Sequence, residues 1–216
     1  SRPKTEDCVV DIGADSRRAA ERKVAVGDAL ALPAHCTKLA GKRVAGRPLD
    51  NRAGCAVLAE VAAKLTAPAD DIYYVFTVQE EVGCRGAAPA AFEITPDVAL
   101  NFDVTATGDV QGAKPMAVAL GKGVAVKIKD GSVICHRGLT EELLTLAKEK
   151  NIPAQCEILL YGGTDTGAVQ MSRGGCRAGA LSIPCRYIHS GVETIDLGDA
   201  EAAVNLAVAF LGGEKQ

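Results

Sequence analysis

The chain lacks any excess of positive charge: 24 Lys and Arg stand against 27 Asp and Glu, a net charge of −3. It therefore offers no basic footprint for nucleic acid. No apolar run approaches the roughly 18 to 20 residues that a membrane span requires. Nothing at the beginning has the layout of a signal peptide, which points to the cytoplasm. Eight cysteines are scattered at Cys8, Cys36, Cys55, Cys84, Cys135, Cys156, Cys176 and Cys185, and no two form a C-x-x-C pair. That spacing argues against both a thiolate zinc knuckle and a secreted disulfide scaffold, and predicts reduced, mostly buried thiols. What is present is 48% apolar content in 216 residues, enough for one substantial core and a small accessory lobe without cross-links.

Strand-like and helix-like segments alternate along the chain. Residues 8–12 read as a strand and the polar stretch 15–23 as a short helix. Residues 24–39 carry Gly27, Asp28 and Pro33 among short apolar pieces with no helical period, which suits a small β-rich lobe. The domain boundary is placed between residues 41 and 42, so that 1–41 form an accessory remnant and 42–216 the main domain. Helical spacing of Cys55, Leu58, Val61, Ala62 and Leu65 predicts a helix over 52–65. The apolar runs 72–78 and 98–104 read as buried strands. A helix over 140–150 carries acids in its first turn and lysines in its last, as the helix dipole prefers. Strands at 156–161 and 178–183, a short helix at 164–172 and a closing helix at 199–211 capped by Gly212 complete an α/β fold, a mixed sheet flanked by helices.

Five residues could carry chemistry. Glu80 and Glu81 end the 72–78 run, and both can serve one site only where the pleat breaks, as at Val82 and Gly83. A solvated acidic turn is the plainer account of the pair. Asp50 precedes a helix and could simply cap it. Asp103 is a carboxylate in a buried strand, costly unless partnered, and could be a salt-bridged core acid. His189 could be a hydrogen-bonded histidine with no ligand. Oxygen-rich donors with one imidazole nevertheless suit zinc, cobalt or manganese. The turn Gly162-Gly-Thr-Asp-Thr-Gly167 lacks the G-x-x-x-x-G-K-[ST] order of a phosphate loop. It reads as a tight turn with Thr164 or Asp165 capping a helix.

The motifs Pro48-Leu-Asp-Asn-Arg-Ala-Gly-Cys55, Thr77-Val-Gln-Glu-Glu-Val-Gly-Cys-Arg-Gly86, Asn101-Phe-Asp-Val104, Leu120-Gly-Lys-Gly123, Gly162-Gly-Thr-Asp-Thr-Gly167 and Ile183-Pro-Cys-Arg-Tyr-Ile-His-Ser190 follow one another in a set order. In them the chain resembles the glutamyl and deblocking, or tetrahedral, aminopeptidases of metallopeptidase family forty-two. The resemblance implies a zinc-peptidase catalytic domain interrupted by a small PDZ-like or barrel-like accessory domain, of which 1–41 would be the end. It implies two divalent metal ions, zinc or else cobalt or manganese. Asp50 would bridge them, Glu81 and His189 would complete one site, and Asp103 would belong to the other. Glu80 would be the general base, and Gly163, Thr164 and Asp165 would lie near the peptide substrate. A hollow homo-oligomer is the family's usual assembly.

One departure stands out: the family's second histidine comes from an upstream His-x-Asp motif that this chain does not contain. The chain resembles a family member without its N-terminal portion. Residues outside this sequence, natural truncation and processing would each produce that appearance. The resemblance thus leads to two expectations, a metal-dependent aminopeptidase with one weak or empty metal site, or a catalytically silent fragment or assembly subunit that keeps the fold.

Overall fold

The structure is a computed structural model that describes residues 4, 7–31, 33, 35–66, 68 and 70–212. It divides into two compact units, Ser1–Pro33 and Ala34–Gln216. In the first, Ser16 caps a short helix, α1 (Arg17–Glu21), its hydroxyl oxygen accepting from the Ala19 N–H at 3.3 Å. The predicted strand at 8–12 is not formed, and no described residue of this unit lies in a strand. Val9, Val10, Val26 and Leu30 are exposed there. A strand needs a hydrogen-bonded neighbour and an apolar face to cover, and this segment has neither among the described residues.

The second unit holds one seven-stranded sheet: β1 (Thr37–Lys38), β2 (Arg43–Gly46), β3 (Val98–Ala106), β4 (Val124–Lys129), β5 (Ala154–Ile158), β6 (Arg177–Arg186) and β7 (Glu193–Asp196). The strands run in the order β1-β2-β7-β6-β4-β5, with β3 alongside β6. β3 pairs with β6 in parallel from Val98↔Arg177 to Ala106↔Cys185, β4 and β5 are parallel, and the other pairings are antiparallel. The sheet is therefore mixed, as the alternation of elements predicted. Of the expected β-rich stretch 24–39, only β1 is a strand among the described residues, and it joins this sheet.

Covering helices are α2 (Arg52–Lys64), α3 (Ala87–Ile94), α4 (Arg137–Glu149), α5 (Asp165–Gln170) and α6 (Leu197–Leu211). Val57 and Val61 of α2, Leu139 and Leu143 of α4, and Leu206 and Ala207 of α6 share one core with Val126, Leu181 and Ile183 of the sheet. Each fully buried leucine contributes about 1.5–3 kcal/mol. A smaller cluster joins Ala87 and Ala91 of α3 to Val169 of α5. Along β3, Leu100, Phe102 and Val104 pack on the first core and Ala99 on the second. By alternation Asp103 belongs to the α3 and α5 face. β6 is buried from Ala178 to Cys185 because both of its faces are covered.

Several expectations need correction. The run 72–78 forms no strand, and Tyr73, Phe76 and Val78 are more than half exposed. Its apolar composition predicted burial, yet only a neighbouring strand or helix could supply it. The buried residues of α2 are Gly54 and the fourfold ladder Ala53, Val57 and Val61, whereas Ala62 is exposed. The cap of α2 is Asn51, whose side chain accepts from the Gly54 N–H, so Asp50 is free of that duty. All eight cysteines are free, as expected, but only Cys135 and Cys185 are buried.

One buried polar cluster was not anticipated from the sequence. Lys127 of β4 meets Glu157 of β5, and its ammonium lies 3.4 Å from Asp130. Thr105 of β3 also donates to Glu157, at 2.8 Å. Burial alone would lower the Lys127 pKa, but the Glu157 and Asp130 carboxylates outweigh it and the net shift is upward. Among the described residues no helix is long and apolar enough to cross a membrane.

Candidate metal centre

Asp50 and His189 are carried by loops. Asp50 follows β2 and directly precedes the cap residue of α2. His189 lies in the turn between β6 and β7 with φ +61°, a left-handed conformation uncommon for a residue with a side chain. Glu80 and Glu81 follow the 72–78 run. The chain turns on both sides of the pair: Gln79 has φ +59°, and the N–H groups of Gly83 and Cys84 both donate to the Glu80 carbonyl. The sequence reading expected the break only after the pair. Gln79 adds a second one ahead of it.

These loops converge. His189 Nε2 is 3.0 Å from Asp50 Oδ2 and 3.4 Å from Glu81 Oε2. One ligand atom from each of the three lies within 4.8 Å of the other two. The Asp50 side chain is only 10% exposed, whereas His189 and Glu81 open to solvent at 65% and 58%. Burial and the adjacent Glu81 carboxylate push Asp50 up to about 7, with His189 opposing them. Two carboxylates and one imidazole nitrogen, held together against their own repulsion, are a donor set that fits a zinc-like divalent ion.

Asp103 is 8% exposed and not one of that three-residue group. It is near enough that burial, then Asp50, and also Glu80, hold its pKa well above the usual carboxylate range, against the Val104 N–H and Lys127. Glu80 forms a second group with Cys84 and Asp165. Its pKa is raised by burial, then by Glu81 and Asp165. The Cys84 thiol is pushed up to about 12 by burial, Glu80 and Asp165, so it stays protonated and donates to Glu80 at 3.8 Å. Asp165 also accepts from the Thr77 hydroxyl at 2.6 Å.

Of the other predicted site residues, Thr164 caps α5, its hydroxyl oxygen accepting from the Thr166 N–H. Gly163 is exposed beside Ser132. Sequence reading missed Glu193 and Cys84. Glu193 is a carboxylate at the start of a buried strand, the same signal that drew attention to Asp103.

A family model described as M42 glutamyl aminopeptidase matches residues 1–206. The chain belongs to this family. A putative aminopeptidase of Acetivibrio thermocellus is 48% identical over 199 residues, spanning 92% of this M42 chain and 60% of that protein. Aminopeptidase APDkam598 from Desulfurococcus kamchatkensis superposes with a TM-score of 0.90 at 39% identity, over 94% of this chain and 58% of that one. The Pyrococcus horikoshii TET1 peptidase, which can assemble into a tetrahedron or a large octahedral shell, matches with a TM-score of 0.80 at 35% identity, over 93% and 59%. The M42 chain thus spans about 60% of the length of the curated relative. Its mixed α/β sheet is that of M42 catalytic domains.

Proposed function

We propose that this chain carries the chemistry of a metal-dependent aminopeptidase that removes N-terminal residues from peptides. The observation that carries this reading is the convergence of Asp50, Glu81 and His189. They would hold one divalent ion, with zinc, cobalt or manganese suited to the donors. Asp50 and Asp103 would face a second. When bound, such ions acidify a water and polarise the scissile carbonyl.

Glu80 acts as the general base. It takes the proton of the attacking water and returns it to the leaving amine. Its raised pKa suits the task, because a base whose pKa lies closer to the working pH transfers protons in both directions more readily. The Cys84 thiol and the turn at Glu80 orient the carboxylate. Asp165, beside Glu80, would receive the free α-amino group of the substrate, which would select chain ends over internal bonds.

Without a further histidine from outside residues 1–216, the second ion would be weakly held. Among the described residues no imidazole other than His189 stands with these acids. A silent assembly subunit is the alternative that this favours. We also assign the residues up to Pro33 to the end of an accessory domain, a shorter remnant than 1–41 because β1 pairs within the main sheet, and propose a cytoplasmic homo-oligomer like that of the P. horikoshii relative. Hydrolysis of aminoacyl chromogenic substrates with added zinc, cobalt or manganese tests the reading. Turnover that Glu80→Gln abolishes while zinc is retained supports it, and no turnover with any metal favours the silent subunit.

A further inference from the structure

We propose that Glu193 is a positioning residue that sets the distance between Asp50 and His189, an inference that rests on reading those two as metal ligands. Glu193 is 3% exposed and opens β7. Its Oε2 accepts from the N–H groups of Leu49 at 2.7 Å and Asp50 at 3.0 Å, and its Oε1 accepts from the His189 N–H at 3.0 Å. One carboxylate therefore ties together the two loops that present the ligands. Its place in the sheet explains the reach. β7 lies between β2 and β6, pairing Gly46↔Glu193 on one side and Cys185↔Ile195 on the other. β2 leads into the Asp50 loop, and β6 leads into the His189 turn.

The chemistry of the side chain matters as much as its place. Three N–H groups converge on it, and an ionised carboxylate accepts on both oxygens. Glutamine keeps one acceptor and turns an NH2 group toward the N–H groups of the other loop. Strand pairing would survive that change, while the two loops would no longer be fastened to one point. Asp50 and His189 would then be freer to separate.

Zinc titration of the metal-free chain, in competition with a chromogenic chelator, compares wild type with Glu193→Gln, Glu193→Asp and Leu143→Ala. Glu193→Gln is expected to weaken zinc binding about 10–100-fold, as loss of a ligand-supporting group typically does. Glu193→Asp, whose shorter side chain reaches one loop, is expected to weaken it less. Leu143→Ala loosens the core and should lower Tm without changing zinc affinity. Amide exchange in the metal-free proteins is a readout independent of metal. Leu49, Asp50 and His189 should exchange faster in Glu193→Gln while β6 does not. Wild-type zinc affinity in Glu193→Gln, or an equal loss in Leu143→Ala, overturns the positioning role and leaves the metal reading intact. If wild type itself binds no zinc, the metal reading fails and the proposal with it. Should Glu193→Gln not fold, Glu193→Asp carries the same comparison, and unchanged affinity there overturns the role.

Discussion

His189 Nε2 stands 3.0 Å from Asp50 Oδ2, so a turn late in the chain and a loop early in it meet at one point. Asp50 is the buried member of that pair, and its environment has measurable consequences even without metal.

Asp50 is pushed from an ordinary 3.8 up to about 7 by burial and by Glu81. The folded state therefore holds a proton that the unfolded chain releases near 3.8. This contribution to stability is full below the unfolded pKa and is lost as pH rises through about 7. Calorimetry of the metal-free chain should show Tm falling between about pH 4 and 7. Asp50→Asn should flatten that dependence. An equal slope in both proteins would contradict the assignment.

Glu80→Gln keeps the shape of the side chain and removes its ability to take a proton. Turnover of an aminoacyl substrate should fall about 100- to 10,000-fold, the usual worth of a positioned general base. Zinc content, measured by atomic absorption, should stay at the wild-type level, because Glu80 stands outside the Asp50, Glu81 and His189 group.

Lys127→Met leaves the Glu157 and Asp130 carboxylates buried without their cation. Breaking a buried ion pair from one side costs about 3–5 kcal/mol, and urea unfolding at pH 7 should show a loss of that size. Replacing Glu157 by Met as well should restore part of it, since one uncompensated charge is then removed.

Gly123 in the Leu120-Gly-Lys-Gly123 motif has φ +94°, and an added Cβ would come within 2.0 Å of the Pro153 carbonyl oxygen. Gly123→Ala should cost about 1–3 kcal/mol for the backbone conformation alone. The close approach adds to it. The same unfolding measurement checks this, with Gly174→Ala, where the space is open, as the mild comparison.

Much of the fold was legible in the residues. The helical period predicted α2, and Gly212 marked the end of α6. A helix was rightly expected at α4, but it begins at Arg137 with no acid in its first turn, so Glu141 and Glu142 lie a turn further in and only Lys148 keeps the predicted place. The failures share a cause. Strands at 8–12 and 72–78 were inferred from apolar composition, but a strand exists only when another strand accepts its hydrogen bonds, and composition does not name a partner. The buried Lys127 escaped notice for a similar reason. In sequence it is one more polar residue, and only the approach of Glu157 from the neighbouring strand makes its burial tolerable.

At the site, the sequence by itself determined which side chains were available: the acids Asp50, Glu80, Glu81 and Asp103, one histidine at the end of a motif, and the ordered motifs that tie the chain to its family. Tertiary structure decided which of them meet. It gathered Asp50, Glu81 and His189 into one group, set Glu80 beside Cys84 and Asp165, and fastened the Asp50 loop and the His189 turn to Glu193. The reason is geometric. Periodicity fixes the direction of a side chain relative to its own helix or strand, whereas a site depends on distances between separate loops, which only the packing of the sheet and its turns sets.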